Sequence, residues 1–358
     1  MLTIDADAHV MEGPRTWEFC DPSERKFMPV LVDPGDGADR QFWLIDGKIR
    51  GHVRHVIKPN DFLALAEASG RDMVVPPEAQ HLEDVQLRVR HMDEIGVDVQ
   101  VMYPTIFIQQ VTDKAEFEVP ICKAYNRWMA DVWKQGAGRL RWVCVLPLLS
   151  LPDAIDMLPW CKENGAVAVL MRPFEGQRLI QDPYFYPLYE AMTKQDLPVG
   201  MHIGNGNPAC LDITRQRVGY GAGFWSMSAN TAGACHAVIT SKLPEMFPKL
   251  RFGFVEASAQ WIPWVYKDIK RRAEGRKLPD DFFEKYRLYV SCYSSTDDIE
   301  YIAQYSTENV LMTGTDYGHV DMSVEIDALR TLEKNGKVRP ELAKKILQDN
   351  PARFYGIQ

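Results

Sequence analysis

Asp7-Ala8-His9 ends the first apolar run of the chain, Ile4-Asp5-Ala6-Asp7-Ala8-His9-Val10. In an extended segment, side chains two residues apart share a face, so Asp7 and His9 project together from the strand's C-terminal end. A carboxylate beside an imidazole suits a divalent metal, which can activate a water or hold a substrate oxygen. The triplet alone also fits a hydrogen-bonded surface turn, so its weight depends on what else converges there.

Three more such side chains close apolar runs. His202 follows Leu197-Pro198-Val199-Gly200-Met201, Glu256 ends Arg251-Phe252-Gly253-Phe254-Val255-Glu256, and Asp316 lies in Leu311-Met312-Thr313-Gly314-Thr315-Asp316-Tyr317-Gly318-His319. Each has a plainer reading: His202 as a satisfied core histidine, Glu256 in a salt bridge to arginine, Asp316 as a helix cap. Asp321 is the better-placed cap, and a glutamate ending a hydrophobic strand must be paired, protonated or metal-bound.

The elements that would position these residues alternate. Strands are predicted at 3–9, 97–103, 141–146, 166–171, 198–202, 251–256, 287–293 and 310–316. Helical periodicity occupies 119–133, 151–162, 184–194, 229–246, 259–273, 297–305 and 321–334 between them. Eight parallel strands with intervening helices make an α/β (β/α)8 TIM barrel, whose active site lies where the strands end. A doubly wound sheet is the competitor, but no glycine-rich phosphate turn follows an early strand. The interval 11–90 does not read as one crossover helix. Trp17, Pro29, Pro34, Phe42, Trp43 and Asp46-Gly47 suggest irregular chain with a small hairpin, followed by a short helix over 61–70. It is taken as an insertion covering the barrel mouth within a single domain spanning 1–358, closed by a C-terminal helix and packed tail.

These residues carry a resemblance. Ile4-Asp5-Ala6-Asp7-Ala8-His9, Met92-Asp93-Glu94-Ile95-Gly96-Val97-Asp98, Ala124-Tyr125-Asn126-Arg127-Trp128, Phe247-Pro248-Lys249-Leu250-Arg251 and Gly314-Thr315-Asp316-Tyr317 stand in the order found in the amidohydrolase superfamily. The chain resembles the branch that includes aminocarboxymuconate-semialdehyde decarboxylase and related metal-dependent hydrolases. The resemblance implies a metal held by Asp7, His9, His202 and Asp316, zinc most often, with manganese or iron also found. Asp7 replaces the first histidine of the commoner His-x-His pair, which makes the site harder and favours manganese or iron. Glu256 stands where decarboxylases of the branch have a catalytic histidine. With Glu12 and His236 it would complete a second metal position; equally, Glu12 is a loop acid and His236 a helix-face residue.

The leading expectation is hydrolysis of a small carbonyl-containing substrate. A metal-bound water attacks, and Asp316 or Glu256 accepts its proton, with His202 at the same centre. Non-oxidative decarboxylation of an aromatic or unsaturated acid, a dinuclear iron or manganese oxygenase, and a catalytically silent subunit paired with a paralogue remain open. Arg172, after Leu170-Met171, is placed either to fork a substrate carboxylate or to form a salt bridge. Tyr103, Trp225, Tyr293 and His319 are candidate pocket residues.

The chain has 358 residues, 46% hydrophobic and 25% charged, with net charge −8. That balance gives no field for nucleic acid, and no window reaches the length of a membrane span. The seven cysteines, Cys20, Cys122, Cys144, Cys161, Cys210, Cys235 and Cys292, form no C-x-x-C pair. Their scatter predicts a reducing cytoplasm, and the N-terminus shows no secretory leader pattern. The resemblance implies a homodimer, for which Trp261-Ile262-Pro263-Trp264-Val265-Tyr266 is a candidate interface.

Overall fold

The run Ala-Val-Ala-Val-Leu-Met at Ala166–Met171 has no polar face, and all six residues are buried. A strand of this kind belongs in a parallel sheet covered on both sides. The computed structural model, which describes residues 2–32, 41–49, 75–204, 224, 228–273, 278–319 and 326–357, contains such a sheet. Its eight strands are β1 (Ile4–His9), β2 (Val99–Tyr103), β3 (Leu140–Cys144), β4 (Ala166–Met171), β5 (Val199–His202), β6 (Phe252–Val255), β7 (Leu288–Ser291) and β8 (Leu311–Met312), ordered as in the sequence. Every pairing between neighbours is parallel.

The segment after β8 closes the ring onto β1. Ala6 N donates to Thr313 O at 3.1 Å, Asp316 N to Asp7 O at 2.7 Å and His9 N to Tyr317 O at 2.8 Å. Gly314 is required there, because a Cβ at this position would stand 2.6 Å from Asp7 N and 2.7 Å from Asp7 Cα. The result is a (β/α)8 barrel, the fold the sequence predicts.

Helices follow the strands: α1 (Val85–Glu94), α2 (Ala115–Gln135), α3 (Leu151–Glu163), α4 (Tyr186–Lys194), α5 (Ser228–Thr240), α6 (Ile262–Arg272), α7 (Ile299–Ser306) and α8 (Ile326–Lys334). α1 falls largely within the interval 11–90. Asp84 caps it by accepting from Leu87 N at 2.8 Å. Earlier in that interval, Val30–Val32, Phe42–Ile45 and Lys48–Ile49 form an antiparallel sheet. Its second hairpin turns on Asp46 and Gly47, whose φ values of 53° and 70° fit a two-residue turn. The helix expected over 61–70 lies outside the described residues, as do Asp321, Trp225 and Cys210.

The end of the chain forms the helical pieces Pro340–Lys344, Lys345–Asp349 and Asn350–Tyr355, and Tyr355 Oη donates to Ala6 O at 2.7 Å. Of the proposed interface run, Trp261, Ile262, Pro263 and Val265 are buried, and only Trp264 is strongly exposed. The segment therefore packs chiefly inward. Among the described residues, no helix is long and apolar enough to cross a membrane.

Four predicted strands stop early, the third at Cys144 and the seventh at Ser291 among them. Strand six ends at Val255 and strand eight at Met312, while Glu256 and Asp316 take left-handed backbone angles, φ 57° and 49°. Glu256 directly follows its strand, whereas Asp316 lies four residues beyond Met312 in the segment that bonds to β1. Such conformations cost energy and persist where the surroundings hold them in place.

Candidate metal centre

β1 and β5 deliver the two imidazoles. His9 Nδ1 lies 3.2 Å from Pro104 O, and His202 Nδ1 lies 2.8 Å from Ile203 O. A carbonyl only accepts, so each ring carries its hydrogen on Nδ1 and presents a lone pair at Nε2. Those two Nε2 atoms are 2.9 Å apart. With no hydrogen on either nitrogen, the contact requires a cation, either a proton or a metal ion.

Carboxylates surround this pair. Asp7 Oδ1 lies 3.6 Å from His9 Nε2 and 3.7 Å from His202 Nε2; Asp316 Oδ1 is 3.5 Å from His9 Nε2, and Glu256 Oε2 is 2.9 Å from His202 Nε2. None of these five residues is more than 4% exposed. Ligand atoms of Asp7, His9, His202 and Glu256 all lie within 4.8 Å of one another, as do those of His9, Glu256, Asp316 and His319. Two neutral imidazoles and three buried carboxylates fit a divalent metal, because its charge offsets acids that burial otherwise penalises. Burial alone would depress the His202 pKa, but the Glu256 and Asp7 carboxylates raise it above its ordinary value. Protons therefore compete with a metal for this nitrogen.

His319 joins the cluster by another route. Thr105 Oγ1 donates to Val10 O at 2.7 Å, so its single proton is committed there. Its 2.8 Å contact with His319 Nε2 therefore needs an N–H on that nitrogen, which leaves Nδ1 with the lone pair, 2.7 Å from Asp316 Oδ1. The His319 ring stacks on His9 with centroids 3.8 Å apart and planes 24° apart. His319 thus stands beside both His9 and Asp316 at the edge of the cluster.

Several sequence candidates are placed elsewhere. Glu12 is buried, and its carboxylate accepts from Thr105 N at 3.0 Å and Ile106 N at 2.9 Å; burial pushes its pKa up to about 7. It anchors the loop after β2, and neither four-residue group includes it. His236 sits on α5 with Nε2 3.1 Å from Asp268 Oδ2 of α6, a helix-to-helix hydrogen bond to a carboxylate that also engages Arg271 and Arg272. Glu12 and His236 are thus not brought together with Glu256, because adjacency in sequence and helical position carried no distance information.

Arg172 is buried, and its fork faces Glu175: Nε donates to Oε2 at 3.0 Å, and one terminal nitrogen donates to the same oxygen. The other terminal nitrogen donates to Phe107 O and Gln109 O, both at 3.1 Å. The paired contact expected for a substrate carboxylate is made internally, to Glu175. Tyr103 packs against His202, ring centroids 5.2 Å apart, with Oη 2.9 Å from Tyr355 Oη; burial raises its hydroxyl pKa. Gly200 makes room for it, since a Cβ there would stand 2.6 Å from that hydroxyl. Tyr293 Oη donates to Glu256 O at 2.9 Å, and Ser291 Oγ accepts from Glu256 N at 2.8 Å. Thr105 and Ser291 escaped the sequence reading, since isolated hydroxyls carry no pattern.

The sequence profile of the amidohydrolase family matches residues 4–357. A curated relative, 2-keto-4-carboxy-3-hexenedioate hydratase of Sphingobium sp., is 26% identical over 210 residues, 55% of this chain and 58% of that protein. The alignment therefore spans little more than half of the relative's length. Among solved structures, an amidohydrolase from Mycobacterium avium subsp. paratuberculosis superposes with a TM-score of 0.78 at 18% identity, covering 99% of each chain. The 5-carboxyvanillate decarboxylase of Sphingomonas paucimobilis superposes with a TM-score of 0.63 at 18% identity, over 83% of this chain and 95% of that one. With the profile spanning nearly every residue, the chain belongs to the amidohydrolase family.

Proposed function

We propose that the protein catalyses metal-dependent, non-oxidative decarboxylation of an aromatic or unsaturated carboxylic acid. The observation that carries this reading is the Asp316–His319 contact, 2.7 Å between Oδ1 and Nδ1, beside the ligand cluster. Thr105 holds the far nitrogen of His319, so the pair can keep one proton between Nδ1 and Oδ1 and deliver it from a fixed position. Hydrolysis, the leading expectation from sequence, has less support. The decarboxylase and hydratase relatives are named for reactions that place a proton on carbon in a carboxylated molecule.

Asp7, His9, His202 and Asp316 would hold the metal, with Glu256 beside them. When bound, a divalent ion supplies positive charge that orients an anionic substrate and stabilises charge developing on it. The carbon–carboxylate bond breaks with its electron pair left on carbon. The Asp316–His319 pair then gives that carbon a proton, carbon dioxide departs, and a water restores the proton to the pair, its hydroxide combining with the carbon dioxide as bicarbonate. Tyr103 packs under His202 and keeps its ring in place.

Hydration is the second reading, favoured by the hydratase relative. The same pair would protonate carbon, while Glu256 takes a proton from the added water. The test incubates the metal-loaded protein in D2O with a panel of carboxylated phenols and unsaturated di- and tricarboxylic acids. Loss of 44 mass units as carbon dioxide, with one deuterium on the vacated carbon, is the expected result. A gain of one water selects hydration. Turnover confined to esters or amides would return the reading to hydrolysis.

A further inference from the structure

Arg88 of α1 is wholly buried, and none of its hydrogen bonds reaches a carboxylate directly. Its Nε donates to Gln100 Oε1 at 2.7 Å, its terminal nitrogens donate to Ala79 O at 3.3 Å and His9 O at 3.2 Å, and its Cζ lies 3.4 Å from the Tyr317 ring centroid. Gln100 of β2 passes the contact on, because its Nε2 donates to Asp5 Oδ2 at 3.0 Å. Asp5, also wholly buried, then accepts from Thr315 N at 2.8 Å, Thr315 Oγ1 at 2.6 Å and Asp7 N at 3.3 Å. One amide thus links a buried cation to a buried acid.

The backbone groups at the ends of this run belong to the ligand segments. Arg88 holds the carbonyl of His9, Asp5 holds the amide of Asp7, and Asp5 holds Thr315 immediately before Asp316. The β1–β2 pairing slips between Asp5 and Ala8, so register against β2 does not fix Asp7, while His9 pairs with Tyr103 just beyond the slip. A charged, hydrogen-bonded network can supply that constraint, since each buried group left unpaired costs more than the bond itself contributes.

We infer that Arg88, Gln100 and Asp5 form a positioning relay that sets the relative placement of Asp7, His9 and Asp316 and thereby the metal affinity of the site. The inference rests on the cluster holding a divalent metal, so wild-type binding is measured first. The probe is zinc, competed against a chromophoric chelator, with metal-free protein melted in parallel by circular dichroism.

Arg88→Met and Gln100→Leu are expected to weaken zinc binding about 10- to 100-fold while the metal-free protein still melts cooperatively. Thr315→Val removes one hydroxyl contact to Asp5 and should move affinity in the same direction. Thr315→Ser, which keeps the hydroxyl, should restore it. If Arg88→Met or Gln100→Leu fails to fold, the Thr315 pair decides the matter. Unchanged zinc affinity in folded variants, or equal loss in Thr315→Val and Thr315→Ser, overturns the relay. No zinc binding by the wild type overturns the metal reading on which it stands.

Discussion

Substituting alanine for Gly314 puts a methyl group where the barrel closes. The new Cβ would lie 2.6 Å from Asp7 N and 2.7 Å from Asp7 Cα, and relief to about 3.4 Å requires the two segments to part by roughly 0.8 Å. The neighbours are Asp7 N, Cα and Cβ, atoms that no side-chain rotation can move aside. The three closing hydrogen bonds, now 2.7–3.1 Å, would stretch to the limit of the interaction. Overpacking of this kind costs about 1–3 kcal/mol, and three weakened hydrogen bonds add about 1 kcal/mol or more. A loss near 3 kcal/mol is expected for Gly314→Ala, with zinc binding weakened about 100-fold because Asp7 and Asp316 move apart. Gly233 provides the matched control: it is exposed within α5, and a Cβ there would meet nothing within 4 Å. Gly233→Ala should stabilise by about 1 kcal/mol through helix propensity alone. Both variants are measured by urea denaturation in chelator and by zinc competition. Wild-type stability and zinc affinity in Gly314→Ala would refute the closure geometry.

Three further outcomes follow from burial and pairing. Glu118 is buried, accepts from Leu149 N, and has its pKa raised by burial to about 7. Its protonated form is favoured in the folded state, so its contribution is complete below about pH 4.5 and is lost as pH rises through 7. Relative to wild type, Glu118→Gln should gain up to about 3 kcal/mol between pH 5 and pH 8; an equal difference at both pH values would contradict the shift. Arg172→Met leaves Glu175 buried without its partner and should destabilise by about 3–5 kcal/mol, read by denaturation, whereas a small change would free Arg172 for substrate binding. His236→Ala should leave metal content unchanged, since its partner is Asp268; metal loss on elemental analysis would place His236 at the centre.

Much of the barrel is legible because its strands are short apolar runs with both faces buried, and the acid or imidazole ending such a run stands out. Asp7, His9, His202, Glu256 and Asp316 are visible for that reason. Helix α1 is harder to see: Arg88 and His91, both buried, interrupt its apolar pattern, and only their partners Gln100 and Tyr317 explain the burial. Gln100 was itself a signal, a polar residue inside an apolar strand that must find a buried partner. The left-handed backbone at Glu256 and Asp316 depends on contacts made in the folded barrel, which no local propensity encodes. His319 read as pocket lining because its link to Asp316 depends on Thr105, 214 residues away. Arg172 was ambiguous until Glu175, three residues later, proved to face it.

The proposed function requires Asp7, His9, His202 and Asp316 to hold a divalent metal. Elemental analysis of protein purified without added metal or chelator tests it most directly, beside the Asp7→Ala/His9→Ala variant. One zinc, manganese or iron ion per chain is expected in the wild type and none in a variant that remains folded. A metal-free wild type, or an ion retained in full by the folded variant, would contradict it.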